Sequence, residues 1–483
     1  MAYCLKKLFL KNLRMRYLIY SSCYAVPHFE TELEVATMLI KEGHDVFFLV
    51  CDAELKTCFI NPDHKMSVCY ACQSKISNGL KMLHIPKERI LRLSQFKIDD
   101  IVCDYSFASV SELKKFTYKG SDIGLAVSSS IISSIRDHKF DTAEYKKRIK
   151  TGLVTAIMMH EKGEQILDAI KPDTVIMFNG RFLELRPIMR LCEKRGIDYY
   201  THERGGQIDR YMLRKNSTPH AISFAKAEIE QFWLNGGPEK YTIGKNFFLN
   251  RRNKIIQSWS VFTAEQKDGV LPEGFDPAKK NIAIFNSSMD EYEGIADFNN
   301  PIYDDDNDGI ERICESFIND ENYHFYLRVH PNLKGLNNAQ NKAIAKIAAR
   351  YSNITVIAPE AIIDSYALME AVDTVITFGS TMGIEAMFWN RPSLLVGKAF
   401  YQSLEGIVQP KSHEEVIHFI THIPTVVANE SAIKFGYWCS TFGTKFKYYE
   451  AEGLFSGKFM GEAINPSIIS RVKIKISKLL EGN

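Results

Sequence analysis

The sequence predicts an α/β protein built from two doubly wound, mostly parallel sheets. Three observations lead there. Apolar runs such as MRYLIYSS (15–22) and DVFFLVC (45–51) are too continuous for a sheet with one wet face. Helical periodicity follows these runs, giving the strand–helix–strand order of a parallel sheet. That order opens twice, at the start and again at residue 281, and 483 residues exceed what one compact core holds.

Taken in order, MRYLIYSS is the first buried strand, and the loop CYAVPHF leads out of it. ETELEVATMLIKEGH is a helix with Leu33, Ala36, Leu39 and Ile40 on one face and Gly43 as its stop. DVFFLVC is the second strand, and the stretch from Ile101 to Lys171 reads as mostly helical. DTVIMFNG (173–180) is a strand, ELRPIMRLCEKRG a helix, and IDYYTHERGG (197–206) a strand. LPEGFDPAKK (271–280) has the Pro and Gly content of a linker. The second series runs NIAIFNSSMDE (281–291), FYLRVHPN (325–332), ITVIAPE (354–360), the helix SYALMEAV, the strand TVITF, a Gly-rich elbow and SLLVG. The expected domains are 1–270 and 271–410, both Rossmann-like, with a mostly helical 411–483 packing back on the first.

Composition narrows the function classes. With 60 basic and 58 acidic residues, a formal charge of +2 and 45% hydrophobic content, the chain reads as an ordinary globular protein, not a nucleic-acid binder. No run of 18 uncharged apolar residues predicts a transmembrane span, and no cleavable leader pattern opens the chain. Ten cysteines without a secretion signal imply reduced thiols in a cytosol. Two basic stretches, MAYCLKKLFLKNLRMRYLIYSS and the tail IISRVKIKISKLL with Arg471, Lys473, Lys475 and Lys478, suit either an anionic membrane surface or an ordinary solvated face. Cys51, Cys58, Cys69 and Cys72 form a cluster in which Cys69 and Cys72 have zinc-ligand spacing, with His64 as an alternative ligand. A structural zinc and four unligated thiols are both open readings, and an Fe–S cluster has less support.

In open parallel sheets, ligands bind beyond the carboxyl ends of the strands. Those loops carry His28 and Glu30, then Asn179 and Arg181, then Glu203 and Arg204 in the first domain. In the second they carry Asn286, Ser287 and Ser288, then Arg328, His330 and Pro331, then Gly379, Ser380 and Thr381 with Gly383 and Glu385. A cleft between facing domains would gather all six. The elbow Gly379-Ser380-Thr381 opens a helix, where free N–H groups and the dipole make an anion site. Gly379 and Gly383 would let a phosphate approach, Ser380 and Thr381 would donate to it, and Glu385 would accept from ribose hydroxyls. The plainer alternative is a helix N-cap with Glu385 complementing the dipole. His330 at a strand end suits a second phosphate contact or a proton donor to a leaving phosphate. Glu203 or His28 could take the proton of an acceptor hydroxyl.

NSS, the HP of RVHPN and GSTMGIEAMFWNRP together resemble bacterial GT-B glycosyltransferases of capsule, lipopolysaccharide and other surface-glycan assembly. The likeness covers about residues 281–400 in motifs and the first domain in architecture only. The HP pair with a Ser/Thr motif is similar to transferases for Kdo and sialic acid, which use CMP-activated donors, and to CDP-glycerol phosphotransferases. The resemblance implies a nucleotide-sugar donor on the second domain and a growing glycan or lipid-linked acceptor on the first, held by Glu30, Asn179, Arg181 and Arg204. Sialyltransferase-like enzymes carry an acidic pair before glycine as the base; His202-Glu203-Arg204-Gly205 departs from that with its arginine. No DxD-like motif ends a strand, and the acidic run DDDND (304–308) reads as a solvated loop, so a metal-independent, inverting displacement is expected. The rivals are a UDP-sugar 2-epimerase, a CDP-glycerol-type phosphotransferase and, from another class, a non-catalytic glycan-binding scaffold.

Overall fold

The computed structural model describes residues 14–255, 257, 263–425 and 430–482. Most of the basic amino-terminal stretch, residues 1–13, lies outside the described residues. The chain forms two compact units. The first holds the chain up to Ile135, Lys139–Pro219 and everything from Phe442 onward; the second holds Arg136–His138 and His220–Thr441.

The first unit contains β1 (Arg16–Ser21), α1 (His28–Lys41), β2 (Asp45–Val50), α2 (Met66–Met82), β3 (Ile90–Arg92), α3 (Lys146–Ile170), β4 (Thr174–Phe178), α4 (Arg186–Arg195), β5 (Asp198–Arg204) and β6 (Arg210–Lys215). Its sheet has the order β12-β6-β5-β4-β1-β2-β3, where β12 is the late strand Thr444–Lys445. The five strands from β5 to β3 are parallel, and β6 and β12 add antiparallel edges. β1 is buried along Tyr17–Ser21 and β4 throughout, as expected of strands covered on both faces.

The second unit contains α5 (Lys240–Arg252), β7 (Lys280–Phe285), β8 (Tyr323–Arg328), β9 (Ile354–Ile357), β10 (Thr374–Thr377), α6 (Met382–Phe388), β11 (Ser393–Leu395) and α7 (Glu430–Thr441). Its sheet, β11-β10-β7-β8-β9, is parallel throughout. Counted from its own first strand, each unit has the 3-2-1-4-5 order of a Rossmann half. Two such units in one chain are the GT-B class of build that the resemblance implied.

The boundary differs from the expected 270. Chain between 220 and 255 carries helices that pack into the second unit, where Phe248 stacks on Phe388 at 4.3 Å between ring centroids. Gly244 of α5 lies so close to the Ile433 carbonyl that a Cβ would come within 2.3 Å of it, which seats α7 directly on α5. The segment 411–441 therefore stays with the second unit. Beyond Phe442 the first unit receives β12, a hairpin (Tyr449–Gly453, Ser456–Phe459) and the helix α8 (Ile468–Leu480).

α1 departs furthest from its amphipathic pattern. Glu30, Glu32 and Glu34 are buried along with the apolar face, and Ile40 is the exposed one. Each carboxylate has a partner. Glu30 pairs with Lys75 of α2 at 2.6 Å. Glu32 accepts from the Ser21 hydroxyl and faces His202 at 3.3 Å. Glu34 accepts from the N–H groups of Lys447, Tyr448 and Tyr449 at 2.7, 2.9 and 3.2 Å, which binds the returning chain to the helix. The DDDND run is likewise not a solvated loop: Asp305 and Asp306 are buried, and Asp305 caps the helix Asp306–Ser316 by accepting from Asp308 N–H at 2.9 Å.

Candidate functional site

Strand order reverses between β1 and β4 in the first unit and between β7 and β10 in the second. Chain leaving those strands diverges, and the crevice so formed is where open α/β sheets bind ligands. His28, Asn179 and Arg181 follow β1 and β4. Asn286–Ser288 and Gly379–Thr381 follow β7 and β10.

In the first unit three of the predicted loops meet on Glu203. Asn179, in the left-handed region at φ 53°, turns the end of β4 so that its Nδ2 donates to Glu203 Oε2 at 2.9 Å. The Arg204 N–H donates to Oε1 at 3.0 Å, and His28 Nε2 stands 3.6 Å from that same oxygen. The carboxylate keeps a 16% exposed side chain, so it is held by two donors yet open to a reactant. Burial, then the neighbouring His202 and Arg204 charges, push His28 well below the usual histidine range, and its ring lies 4.2 Å from that of Phe178. His28 is thus a neutral neighbour of Glu203. His202 behind it is pushed down to about 4 by burial.

The other first-unit candidates have structural partners. Glu30 is turned to Lys75 and buried, so it does not face an acceptor. Arg204 donates to the Val26 carbonyl at 2.8 Å. Arg181 donates to Ser133 Oγ at 3.3 Å with its guanidinium 4.6 Å from the Phe182 ring centre.

In the second unit the elbow is built by packing from below. Gly379 has φ 152°, and a Cβ there would lie 2.9 Å from the Lys398 carbonyl and 3.5 Å from Ser287 Oγ, so the loops after β7 and β10 touch. Ser380 Oγ accepts from Met382 N–H at 3.3 Å, and its carbonyl accepts from Tyr401 at 2.6 Å. Gly383 is required by the same tyrosine: a Cβ would come within 2.5 Å of Tyr401 Oη and 2.7 Å of Thr377 Oγ1.

Glu385 does not receive ribose hydroxyls. Its side chain is fully buried, with Oε1 taken by Arg251 Nε and Thr381 Oγ1, both at 3.0 Å, and Oε2 by Tyr366 at 2.5 Å. Arg251 Nη2 also donates to Thr381 at 3.0 Å, so glutamate and threonine act as a lock under the elbow. The exposed part is reduced to the N–H groups of the turn with the half-buried Ser380 and Thr381.

His330 joins the loops after β7 and β8, its N–H donating to Asn286 Oδ1 at 2.9 Å. Its Nδ1 accepts from Asn332 N–H at 3.2 Å, which leaves Nε2 to carry the proton. Burial pushes His330 down to about 4, so at neutral pH it is a neutral hydrogen-bond donor rather than a general acid. Pro331 opens the short turn that follows. Arg328 is not a phosphate ligand in this arrangement: it is buried and donates to the carbonyls of Ala358, Pro359 and Ala361.

Two neighbours escaped the sequence. Arg136 donates to Asp290 Oδ2 at 2.9 Å and to Ser288 Oγ at 3.5 Å, which brings a part-exposed cation to the loop after β7. It sits 152 positions from Ser288 in a helical region with no motif of its own, so no sequence signal pointed to it. Tyr401, 21 positions after Ser380, likewise carries no motif.

The four-cysteine metal centre does not form. Among the described residues no three His, Cys, Asp or Glu side chains are grouped to hold a metal ion. Cys51, Cys58, Cys69 and Cys72 are free thiols spread around the wall of one cavity, and burial raises all four above the usual thiol range. His64 stands apart in a left-handed turn at φ 52°.

Residues 297–425 match the family described as capsule polysaccharide biosynthesis protein. The matched segment lies in the second unit and includes His330, the elbow and Glu385. No curated protein matches the chain. Among solved structures the chain is similar to the KpsC β-Kdo 2,4 transferase of Thermosulfurimonas dismutans, at 16% identity and a TM-score of 0.35 over 63% of this chain and 86% of that one. It is also similar to the UDP-GlcNAc 2-epimerase of Neisseria meningitidis, at 13% identity and a TM-score of 0.24 over 97% of this chain and 100% of that one. Both TM-scores fall below 0.5, so the family match is the comparison that bears on function.

Proposed function

We propose that this chain is a glycosyltransferase of surface-polysaccharide biosynthesis. It would move a sugar from a nucleotide-activated donor, with a CMP-sugar favoured, to a growing surface glycan or lipid-linked acceptor. The observation that carries the reading is the family match over 297–425, because that segment contains the second unit's β10 loop and His330. The turn N–H groups, Ser380 and Thr381 would hold the donor phosphate, and neutral His330 would donate through Nε2 to the departing oxygen. Glu203, oriented by Asn179 and the Arg204 N–H, would take the acceptor proton. No step in this scheme requires a metal.

Thermal unfolding with CMP, CDP, UDP and GDP tests the donor. A ligand bound only by the folded state raises the midpoint with its occupancy. A CMP shift that is lost in Ser380→Ala and His330→Ala supports the reading. A UDP shift with interconversion of free UDP-sugars would replace it by the epimerase, and no shift with any nucleotide would sink the site. Glu203→Gln should abolish transfer while keeping the CMP shift. The anomeric configuration of the product decides inversion, and a retained configuration would remove Glu203 from the role of base.

A peripheral place at an anionic membrane face belongs to the same proposal. Among the described residues no helix is long and apolar enough to cross a membrane. α8 runs along α2, with Ser467 N–H on Ser74 Oγ at 3.1 Å and Glu481 accepting from Ser67 Oγ at 2.6 Å. Ile468, Ile469, Val472, Ile476, Leu479 and Leu480 fall on one helical face, all exposed, from 53% at Ile476 to 83% at Leu480. Arg471, Lys475 and Lys478 flank that stripe on one side and Lys473 on the other, the pattern of an interfacial helix. Sedimentation with anionic but not neutral vesicles, weakened by Ile476→Glu, is the expected result; no sedimentation with anionic vesicles would remove this part.

A further inference from the structure

A cavity of about 510 Å³ opens in the first unit at the carboxyl ends of β1, β2 and β3, beneath α2. That volume falls within the ~300–1,000 Å³ range of small-ligand pockets. Its walls are apolar, with Val50, Leu55, Ile76 and Leu80 buried in them. The four thiols line the same walls and, being held protonated by burial, add polarizable rather than charged surface.

The lining runs along most of α2. Val68, Cys72, Ile76 and Leu80 line it from α2 at successive four-residue steps, so it extends about 18 Å along the helix at ~1.5 Å per residue. A single extended alkyl chain spans that length against mostly apolar wall. Charge is confined to four lining residues. Asp52 is engaged by the Ser94 N–H and hydroxyl, and exposed Lys81, Lys87 and Arg92 outnumber it, with Lys81 in the last turn of α2 and Lys87 just before β3.

We propose that this cavity binds the hydrocarbon chain of an anionic amphiphile, with the chain along α2 and the acidic head toward Lys81 and Lys87 at the carboxyl end of that helix. Glu203 does not line the cavity, and the assignment does not depend on the transferase reading. The shared chemistry is a single alkyl chain with a phosphate or carboxylate end, whether from a membrane lipid or a free fatty acid.

Slow alkylation of the cavity thiols by excess iodoacetamide at alkaline pH, where part of each thiol ionises, tests it on the full-length protein, with each cysteine followed by peptide mass spectrometry and Cys439 of the second unit as reference. Dodecyl phosphate below its micelle-forming concentration, dodecanol and inorganic phosphate are the probes. Dodecyl phosphate at ten times its dissociation constant should slow labelling of Cys51, Cys58, Cys69 and Cys72 on the order of tenfold by mass action, without slowing Cys439. Gln73→Trp, which fills the groove from α2, should abolish protection. Lys81→Glu with Lys87→Glu, both at exposed positions, should weaken dodecyl phosphate and spare dodecanol. Equal protection by inorganic phosphate, equal affinity for dodecanol and dodecyl phosphate, no protection at all, or an unchanged affinity in the double charge reversal would each overturn the assignment.

Discussion

Replacing Arg251 by methionine tests whether the motif glutamate is a ligand or a lock. In the wild type, Arg251 donates to Glu385 Oε1 and Thr381 Oγ1, both at 3.0 Å, and the glutamate is fully buried. Methionine fills the aliphatic volume but leaves a buried carboxylate without its cation. Breaking one side of a buried ion pair destabilises by about 3–5 kcal/mol. The Arg251 side chain is 31% exposed, and Tyr366 and Thr381 still donate to the carboxylate, so the low end applies, about 3 kcal/mol. That corresponds to a fall of about 6–12 °C in the Tm of the second unit. Urea unfolding gives the free energy, and the CMP-induced shift measured on the same variants gives the ligand effect. Glu385→Gln keeps the shape and the hydroxyl contacts and should lose less stability than Arg251→Met. The reasoning fails if Arg251→Met unfolds at the wild-type urea midpoint while Glu385→Gln abolishes nucleotide-induced stabilisation at unchanged stability. Glu385 would then face the ligand.

Gly383→Ala should destabilise the second unit by about 1–3 kcal/mol in urea, because its Cβ would meet Tyr401 Oη at 2.5 Å. Glu34→Ala leaves three N–H groups of residues 447–449 without their acceptor, and should remove at least about 2 kcal/mol and open that segment to limited proteolysis. His202 and His330 each have a folded pKa of about 4 against an ordinary value of 6.5, so the unfolded state binds more protons between those values. Stability from both is full above pH 6.5 and is lost as pH falls toward 4; His330→Gln should flatten that acid limb in pH-dependent urea melts. An unchanged limb would show that His330 is not held neutral by the fold.

The sheets were legible because their strands are buried on both faces and read as unbroken apolar runs. β1, β2, β4, β7, β8 and β10 all lie within the predicted stretches or overlap them. β3 and β6 were not found: β3 has three residues, and RYMLRK in β6 is an antiparallel strand whose three apolar residues stand between charges. The site was legible as loops rather than as roles. Glu203, Asn179 and His28 do come together, and so do Asn286 and His330. Arg328, Glu30 and Glu385 carry the right chemistry at the right strand ends, but each is turned inward to a partner far away in sequence: the carbonyls of 358–361, Lys75 and Arg251. A strand-end position is local information, whereas the direction of a side chain is set by whatever packs against it. The helix α1 lies where it was expected, with Leu33, Ala36 and Leu39 buried, but distant chain also covers its three glutamates and leaves Ile40 exposed.

The return of the chain to the first unit at Phe442 sets the order in which the protein can be made. β6 waits for β12, and Glu34 waits for residues 447–449, until more than two hundred intervening residues have been translated. The second unit, whose parallel sheet is assembled from 280–395, has all its strands available earlier. On the ribosome the later-encoded unit is therefore the first that can finish, and the amino-terminal one must be sheltered as an open-edged intermediate until its closing segment emerges.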